Sequence, residues 1–391
     1  MENVKTQKTL KTQENTKARE NVKSERLISL DVFRGLTIAG MILVNNPGSW
    51  DSVYPALEHA TWNGVTPTDL IFPFFLFIVG IAITFSLSNR KERGDSQSKL
   101  MLQIFKRSAI IFLLGLLMAG FPEFNLSRIR IPGVLQRIAV VYLISSFIFL
   151  KMSTKNQAIL ATVILFLYWG IMTLIPVPGV GYANLEPSTN LGAWLDRLIF
   201  GKHIWHYSKT WDPEGLLSTL PAISTALLGI LTGRWLRGPA DKTTKTVWMF
   251  FWGNIGMLLG VIWDMWFPIN KNLWTSSYVL YTAGMGLLFM AVCFWLIDVK
   301  GYKWWTKPFL VYGTNAITVY FLSGIAARWL YMLKVTDAAG HTLDLKAYLY
   351  NTLFASWLPA INASLAWAIV YVLFWLGVMW IFYYKKIFIK V

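Results

Sequence analysis

The stretch Glu58-His59-Ala60-Thr61-Trp62-Asn63-Gly64-Val65-Thr66-Pro67-Thr68-Asp69 brings a histidine, an amide and a carboxylate together, directly ahead of a long apolar run. An imidazole titrates near neutrality and can take a proton or an acyl group, the two services a group-transfer reaction asks of a side chain. Only four histidines occur in the 391 residues. Among them His59 alone lies in a short loop between two strongly apolar segments with polar residues on both sides, which makes it the candidate general base or nucleophile. The competing reading is an exposed loop histidine with no task. Thr66, Pro67 and Asp69 form a helix-start signature, with a capping threonine, a first-turn proline and an acidic third residue. A carboxylate placed there can also orient the imidazole, and the two roles are compatible.

Other residues stand out because charge is scarce in their surroundings. Asp31 and Arg34 lie one helical turn apart where the first apolar segment begins, so they can pair or hold an anionic ligand. The alternative is that Asp31 caps the helix and Arg34 snorkels to lipid phosphate. Asn45 ends the same segment on the side of His59. Arg137, in the run Pro132-Gly133-Val134-Leu135-Gln136-Arg137, enters the fourth segment by about one turn. Burying a guanidinium in a membrane costs at least ~2.5 kcal/mol, so a partner such as Asp69 or an anionic ligand is expected. Asn315 and Arg328 are weaker cases of the same kind. Trp62 and Asn63 beside the histidine, and Trp205, His206, Tyr207, Trp211 and Asp212 in the long loop from 177 to 213, could stack on and hydrogen-bond a polar ligand. An interfacial aromatic belt is the bland account of that loop.

The elements that must position these groups are membrane helices. The hydrophobic fraction is 55%, charged residues make up 14%, and there are 20 Trp, 25 Phe and 16 Tyr, far more apolar than a soluble domain. Apolar runs of about 20 residues, and not alternating segments of about ten, indicate an all-α polytopic helical bundle rather than a barrel. Spans are expected near 31–46, 67–88, 104–121, 131–150, 157–176, 214–236, 246–266, 273–297, 307–333 and 362–384. That makes ten, or eleven if the short apolar piece at 347–359 crosses instead of lying at the interface. Residues 1–26 hold seven Lys or Arg and no apolar core, which reads as a basic, disordered cytoplasmic tail and not a signal peptide, ahead of one membrane domain over 27–391.

Basic residues set the expected orientation. With the N-terminus inside, 25 of the 36 Lys and Arg fall on the inner side and eight on the outer, while Arg34, Arg137 and Arg328 lie within spans. Both termini are then cytoplasmic and His59 faces outward. The net charge of +16 is therefore a topology signal, and no fold motif for nucleic acid accompanies it. The single Cys293 excludes an intramolecular disulfide and a thiolate metal cluster. No internal repeat, glycine-rich phosphate loop, metal-spaced histidine pair or serine elbow is present. Gly253, Gly256 and Gly260 have helix-packing spacing.

The string from Ser29-Leu30-Asp31-Val32-Phe33-Arg34-Gly35 through HATWNGVTPTDLIFPFFLFIVG resembles the catalytic domain of the heparan-alpha-glucosaminide N-acetyltransferase family. RIPGVLQR at 130–137, WDPEG at 211–215, INKNLWTSSY at 269–278 and DVKG at 298–301 continue the match in order. The resemblance implies transfer of an acetyl group from cytosolic acetyl-CoA, as co-substrate and without a metal, to the amine of a terminal glucosamine across the membrane. It matches His59 to the active-site histidine, Asn45 and Asp69 to polar positions near it, and Asp31 and Arg34 to a site for the charged end of the cofactor. The chain is expected to lack the extra lumenal domain and first span of animal members, as bacterial relatives do.

The expected protein is thus a multi-pass acetyltransferase of a bacterial inner membrane, with His59, Asp69 and Asn45 catalytic. Arg34, Asp31 and Arg137 would bind the cofactor, and Trp62, Asn63, Trp211 and Asp212 the amino sugar or saccharide. Basic Arg90, Lys91, Arg93, Lys106 and Arg107 would draw the cofactor phosphates, although the positive-inside rule alone also explains them. Two rivals remain, a sugar transporter and an O-acetyltransferase of a surface polysaccharide. A homodimer is left open.

Overall fold

The computed structural model describes residues 27–336 and 340–389; the tail expected over 1–26 lies outside them. Among the described residues the chain is all-α apart from one small hairpin. The helices are α1 (Ile28–Asn45), α2 (Ile71–Glu92), α3 (Gln97–Gly120), α4 (Val134–Lys151), α5 (Thr154–Leu174), α6 (Leu191–Phe200), α7 (Thr219–Arg237), α8 (Lys242–Asp264), α9 (Ser276–Phe294), α10 (Lys307–Thr314), α11 (Ala316–Met332), α12 (Leu345–Tyr350) and α13 (Ala360–Tyr384). Short 3-10 turns at Pro55–Leu57 and Pro67–Leu70 precede α2, and the hairpin pairs β1 (Lys334–Thr336) with β2 (Thr342–Asp344).

Each of the ten segments expected to span is helical, and eight of them are long and apolar enough to cross a bilayer. The ninth is broken: α10 and α11 meet at Asn315 with an 82° bend. Asn315 stabilises the break from inside, its amide donating to the Ile387 carbonyl at 3.0 Å and its carbonyl accepting from Ile389 N–H at 2.9 Å. The tenth, α7, carries Ser224, Thr225, Thr232 and Arg234 and is less apolar than a lipid-facing helix. It can be, because it is enclosed by protein: Ser224 and Thr225 are fully buried and α7 packs on α2, α4 and α5. The apolar piece at 345–359 forms one short helix and a wider turn. At 1.5 Å per residue it is too short to cross, as the interfacial reading expected.

Small residues set the closest helix approaches. The most extensive pairing, α8 with α9, brings Gly253, Gly256 and Gly260 against Gly284 and Tyr281; a Cβ on Gly260 would sit 2.5 Å from the Tyr281 backbone nitrogen. That supports their assignment to packing. At Gly35 a Cβ would lie 1.9 Å from the Phe309 carbonyl oxygen, so α1 and α10 touch backbone to backbone beside Arg34.

The chain runs back and forth between two ends. One end carries the start of α1, the α2–α3, α4–α5, α7–α8 and α9–α10 connections, and the residues after α13. The other carries 46–70, 121–133, 175–218, 265–275, 333–336 and 340–359, and the histidine loop is there.

Candidate active site

The local fold at His59 follows from the helix-start signature. Thr66 N–H and Ala60 N–H each donate to Asp69 Oδ2 at 3.0 Å, while the Thr66 hydroxyl, 3.1 Å from that oxygen, donates to the Glu58 carbonyl at 2.6 Å. Asp69 is buried, and the two N–H donors fix its carboxylate with Oδ1 turned to the imidazole. His59 Nδ1 meets Asp69 Oδ1 at 2.6 Å, and half of the His59 side chain is exposed. An ionised carboxylate accepts only, so Nδ1 carries the proton and Nε2 keeps its lone pair. This is the base-and-orienter arrangement that acyl-transfer chemistry uses. Asp69 thus performs both roles read from the sequence, ending a turn and holding the ring. Behind it, the Tyr278 hydroxyl donates to the Asp69 carbonyl at 2.5 Å and anchors the turn to α9.

A second loop, 265–275, closes over the first. Gly64 N–H donates to the Ile269 carbonyl at 2.7 Å, and the Asn270 amide donates to Asn63 Oδ1 at 3.1 Å. Gly64 has φ +99°, a conformation that favours glycine. Asn63, expected to contact substrate, therefore clasps the two loops together. The clasp brings in Lys271, which the sequence reading passed over. Its Nζ lies 3.0 Å from Nδ1 and 3.1 Å from Nε2 of His59, and 3.6 Å from Asp69 Oδ1. No position in the ring plane is that close to both nitrogens without colliding with a ring carbon, so the ammonium lies over the ring face. Burial lowers the Lys271 pKa, and the Asp69 carboxylate opposes that shift. The available signal was that Lys271 is the one basic residue of its loop, inside the INKNLWTSSY motif.

The aromatic residues of the histidine loop and of the loop from 177 to 213 pack on one another. Trp62 packs edge to face on Trp211 at 5.1 Å, Trp211 packs on Trp205 at 5.4 Å, and Trp62 Nε1 donates to the Leu185 carbonyl at 3.0 Å. Asp212 is not open to a ligand: it is buried and takes two bonds from Arg130, at 2.9 and 2.6 Å, and Arg130 also bonds Glu214. Burial works against the Arg130 cation, but Glu214 and Asp212 outweigh it and raise its pKa. Nearby, Asp196 accepts from Leu216 N–H at 2.9 Å, and burial pushes its carboxyl up to about 6.

Arg137 is fully buried but does not join Asp69. It donates to the Gly215 carbonyl at 3.0 Å and to Ser218, and lies over the Trp274 ring at 5.1 Å. Nor does it join Arg34, which is at the opposite end. There Arg34 pairs with Asp31 on one face of α1. It also lines a cavity of about 580 Å³ together with Arg90, Gln103, Lys106, Arg107 and the first residues of α11.

A second cavity, of about 510 Å³, opens at the His59 end. Asn45, Asn46, Trp50, Trp205, Tyr207, Tyr320, Ser323, Arg328, Tyr331 and Lys346 line it; His59 does not. Burial lowers the Lys346 pKa to about 8. Between the two cavities Ile38, Met41, Phe75, Leu135, Ile138, Ile317 and Tyr320 enclose a void too small for water. This constriction shares Phe75, Ile138 and Ile317 with the first cavity and Met41 and Tyr320 with the second.

Fold and site together describe a multi-pass membrane protein with an aspartate-held histidine at one end and a basic cavity at the other. Residues 26–261 match the family described as "Heparan-alpha-glucosaminide N-acetyltransferase, catalytic", and the chain belongs to that family. Among curated proteins it is similar to human heparan-alpha-glucosaminide N-acetyltransferase, 30% identical over 422 residues that cover 94% of this chain and 60% of the human one. The mouse protein of the same name is 29% identical over 424 residues, with 94% and 61% covered. The chain therefore spans about three fifths of the length of the curated relatives it matches.

Proposed function

We propose that the protein is a membrane-embedded N-acetyltransferase that moves the acetyl group of acetyl-CoA to the amine of glucosamine or a glucosamine-ended saccharide on the opposite side of the membrane. The observation that carries this reading is the pairing of His59 with Asp69 at one end of a bundle whose other end holds the Arg34 cavity. Acetyl-CoA is anionic at its nucleotide end and cannot cross lipid, whereas its thioester sits on a long neutral arm. Arg34, Arg90, Lys106 and Arg107, with the positive N-terminal end of α11, provide the charge for the phosphates. The arm would then part the apolar constriction and bring the thioester to the outer half. There His59 Nε2 accepts the proton of the attacking amine, or takes the acetyl group first as an acyl-imidazole.

The exterior cavity suits the acceptor. Its Trp50, Trp205 and Tyr207 give faces on which sugar rings pack, and its Asn45 and Ser323 give hydrogen-bonding groups. The excess of Lys and Arg on the other side supports a bacterial inner-membrane protein with both termini cytoplasmic.

The test is release of free thiol when purified protein meets acetyl-CoA and a panel of amino sugars. Thiol release that depends on the amino sugar, with an alkali-stable amide as product, is expected. An alkali-labile ester would turn the reading to O-acetylation. Uptake of labelled sugar into vesicles without thiol release would make the protein a transporter. The cofactor end has its own check. Arg34→Ala should raise the acetyl-CoA KM about 10-fold, since a charge-assisted contact contributes ~1.5–3 kcal/mol, with less effect on the sugar KM. An unchanged acetyl-CoA KM in folded protein would give Arg34 a structural role and not a cofactor-binding one.

A further inference from the structure

We infer that Lys271 is a catalytic residue: its ammonium, held over the face of His59, hydrogen-bonds the thioester oxygen and stabilises the negative charge that develops there during acetyl transfer. The inference rests on the acetyltransferase reading and adds to it the group that receives the oxyanion.

Lys271 is also within ion-pair distance of Asp69, 3.6 Å from Oδ1, but that contact does not occupy the donors of the ammonium. Asp69 already uses Oδ1 for His59 and Oδ2 for Ala60 N–H and Thr66 N–H. The Lys271 Nζ to Asp69 Oδ1 separation is longer than a hydrogen bond. Over the ring face, with its Nζ 3.1 Å from Nε2, the ammonium cannot spend its protons on the imidazole lone pair, which lies in the ring plane. Its donors are therefore not committed to the ring, and its Nζ lies close to the Nε2 that an acyl group must reach. A carbonyl carbon approaching Nε2, or a substrate amine hydrogen-bonded to it, places the carbonyl oxygen within a bond length or two of the ammonium. The location is also preorganised. The Asn63–Asn270 and Gly64–Ile269 bonds fix the loop, and Asn270 further accepts from Leu273 N–H at 2.9 Å and donates to Thr275 Oγ1 at 3.0 Å. The Lys271 side chain is 15% exposed, so its charge acts in a setting that water screens little.

The step balances without another reactant. The amine nitrogen bonds to the thioester carbon, and the carbonyl π pair moves to oxygen, where Lys271 donates a hydrogen bond. The amine proton passes to His59 Nε2. The carbonyl then re-forms, the carbon–sulfur bond breaks with its electron pair on sulfur, and the proton on His59 goes to the thiolate. If His59 is acylated first, the same oxyanion forms in each half-reaction and the same ammonium meets it.

Lys271→Met should lower kcat by ~10²–10³-fold, the range for one lost oxyanion donor, with the acetyl-CoA KM changed less than about threefold. Lys271→Arg should keep part of the activity. The decisive arm uses Lys271→Cys in a Cys293→Ala background, purified in folded form and treated with 2-bromoethylamine or with iodoacetamide. Aminoethylation rebuilds a side-chain ammonium of nearly the same length and should recover at least about tenfold in kcat. Carbamidomethylation fills the space without charge and should recover nothing. Equal recovery by both reagents, or a Lys271→Met protein with more than about a third of wild-type kcat, overturns the assignment while leaving the acetyltransferase reading intact. A wild-type protein that releases no thiol removes the reading itself, and the role of Lys271 with it.

Discussion

Replacing His59 with alanine is expected to lower kcat by ~10²–10⁴-fold while acetyl-CoA still binds, because a base or nucleophile contributes to the transition state and little to the ground state. The substitution should leave folding intact. Half of the His59 side chain is exposed and its ring is held by Asp69 alone among hydrogen-bonding partners of favourable geometry, so its removal opens no core cavity. The measurement is steady-state thiol release by protein that is monodisperse in detergent, with acetyl-CoA binding measured separately. Retention of more than about a tenth of wild-type kcat would show that His59 carries neither a proton nor an acyl group. Isolating an acetyl-histidine after incubation with labelled acetyl-CoA alone distinguishes the two-step route, and its absence under rapid quench counts against that route.

The Asp69→Asn substitution should be nearly as costly, ~10³-fold or more in kcat, for a different reason. Two backbone donors converge on Asp69 Oδ2, namely Ala60 N–H and Thr66 N–H. An asparagine must keep its carbonyl oxygen toward them, which turns its NH₂ group toward His59 Nδ1. The imidazole then receives a hydrogen bond where it used to donate one, its proton moves to Nε2, and the lone pair that should face substrate is lost. The volume is unchanged, so a small shift in thermal stability with a large loss of kcat is the expected combination. If activity falls only in proportion to the amount of folded protein, Asp69 serves the turn and not the ring. Asp69→Glu offers a useful contrast, since it keeps the acceptor but displaces it.

The sequence made the Asp69–His59 pair legible because both halves lie in one short stretch with a recognisable capping pattern. The membrane spans were legible for a simpler reason, since hydropathy over about 20 residues reports the bilayer directly. What stayed hidden depended on contacts between distant segments. Lys271 meets His59 across 212 residues, and nothing in its own loop marks it as more than an outward-facing cation. Asp212 looked open to a ligand because its partner Arg130 lies 82 residues away. Arg137 was expected to meet a partner such as Asp69; it donates instead to a carbonyl and a hydroxyl and lies over an indole face, while its Nε and Nη1 have no hydrogen-bond partner among the described residues. Asn63 reads as a sugar contact beside the histidine and proves to be a clasp, because its partner Asn270 comes from the facing loop. The span at 214–236 was expected from hydropathy and is helical, and the structure adds why α7 can carry serine and threonine along its length: it is enclosed by other helices.

On the proposed function, the constriction formed by Ile38, Met41, Phe75, Leu135, Ile138, Ile317 and Tyr320 would bear on the energetics of the cell as well as on catalysis. A reactant site opened to two compartments is a short-circuit risk, since a continuous file of water between the Arg34 cavity and the exterior one would conduct protons and dissipate the potential across the membrane. Here the low-dielectric insulation of the bilayer continues through the protein. The Tyr320 hydroxyl is the one polar side-chain group that the lining offers, so a hydrated ion would have to shed its shell with almost nothing to replace it. A slender uncharged chain faces a smaller penalty, because it gives up the hydration of its amide and hydroxyl groups but of no charge. The same few side chains can therefore admit a neutral arm and refuse current, and a wider throat would trade easier cofactor access against a leaking membrane.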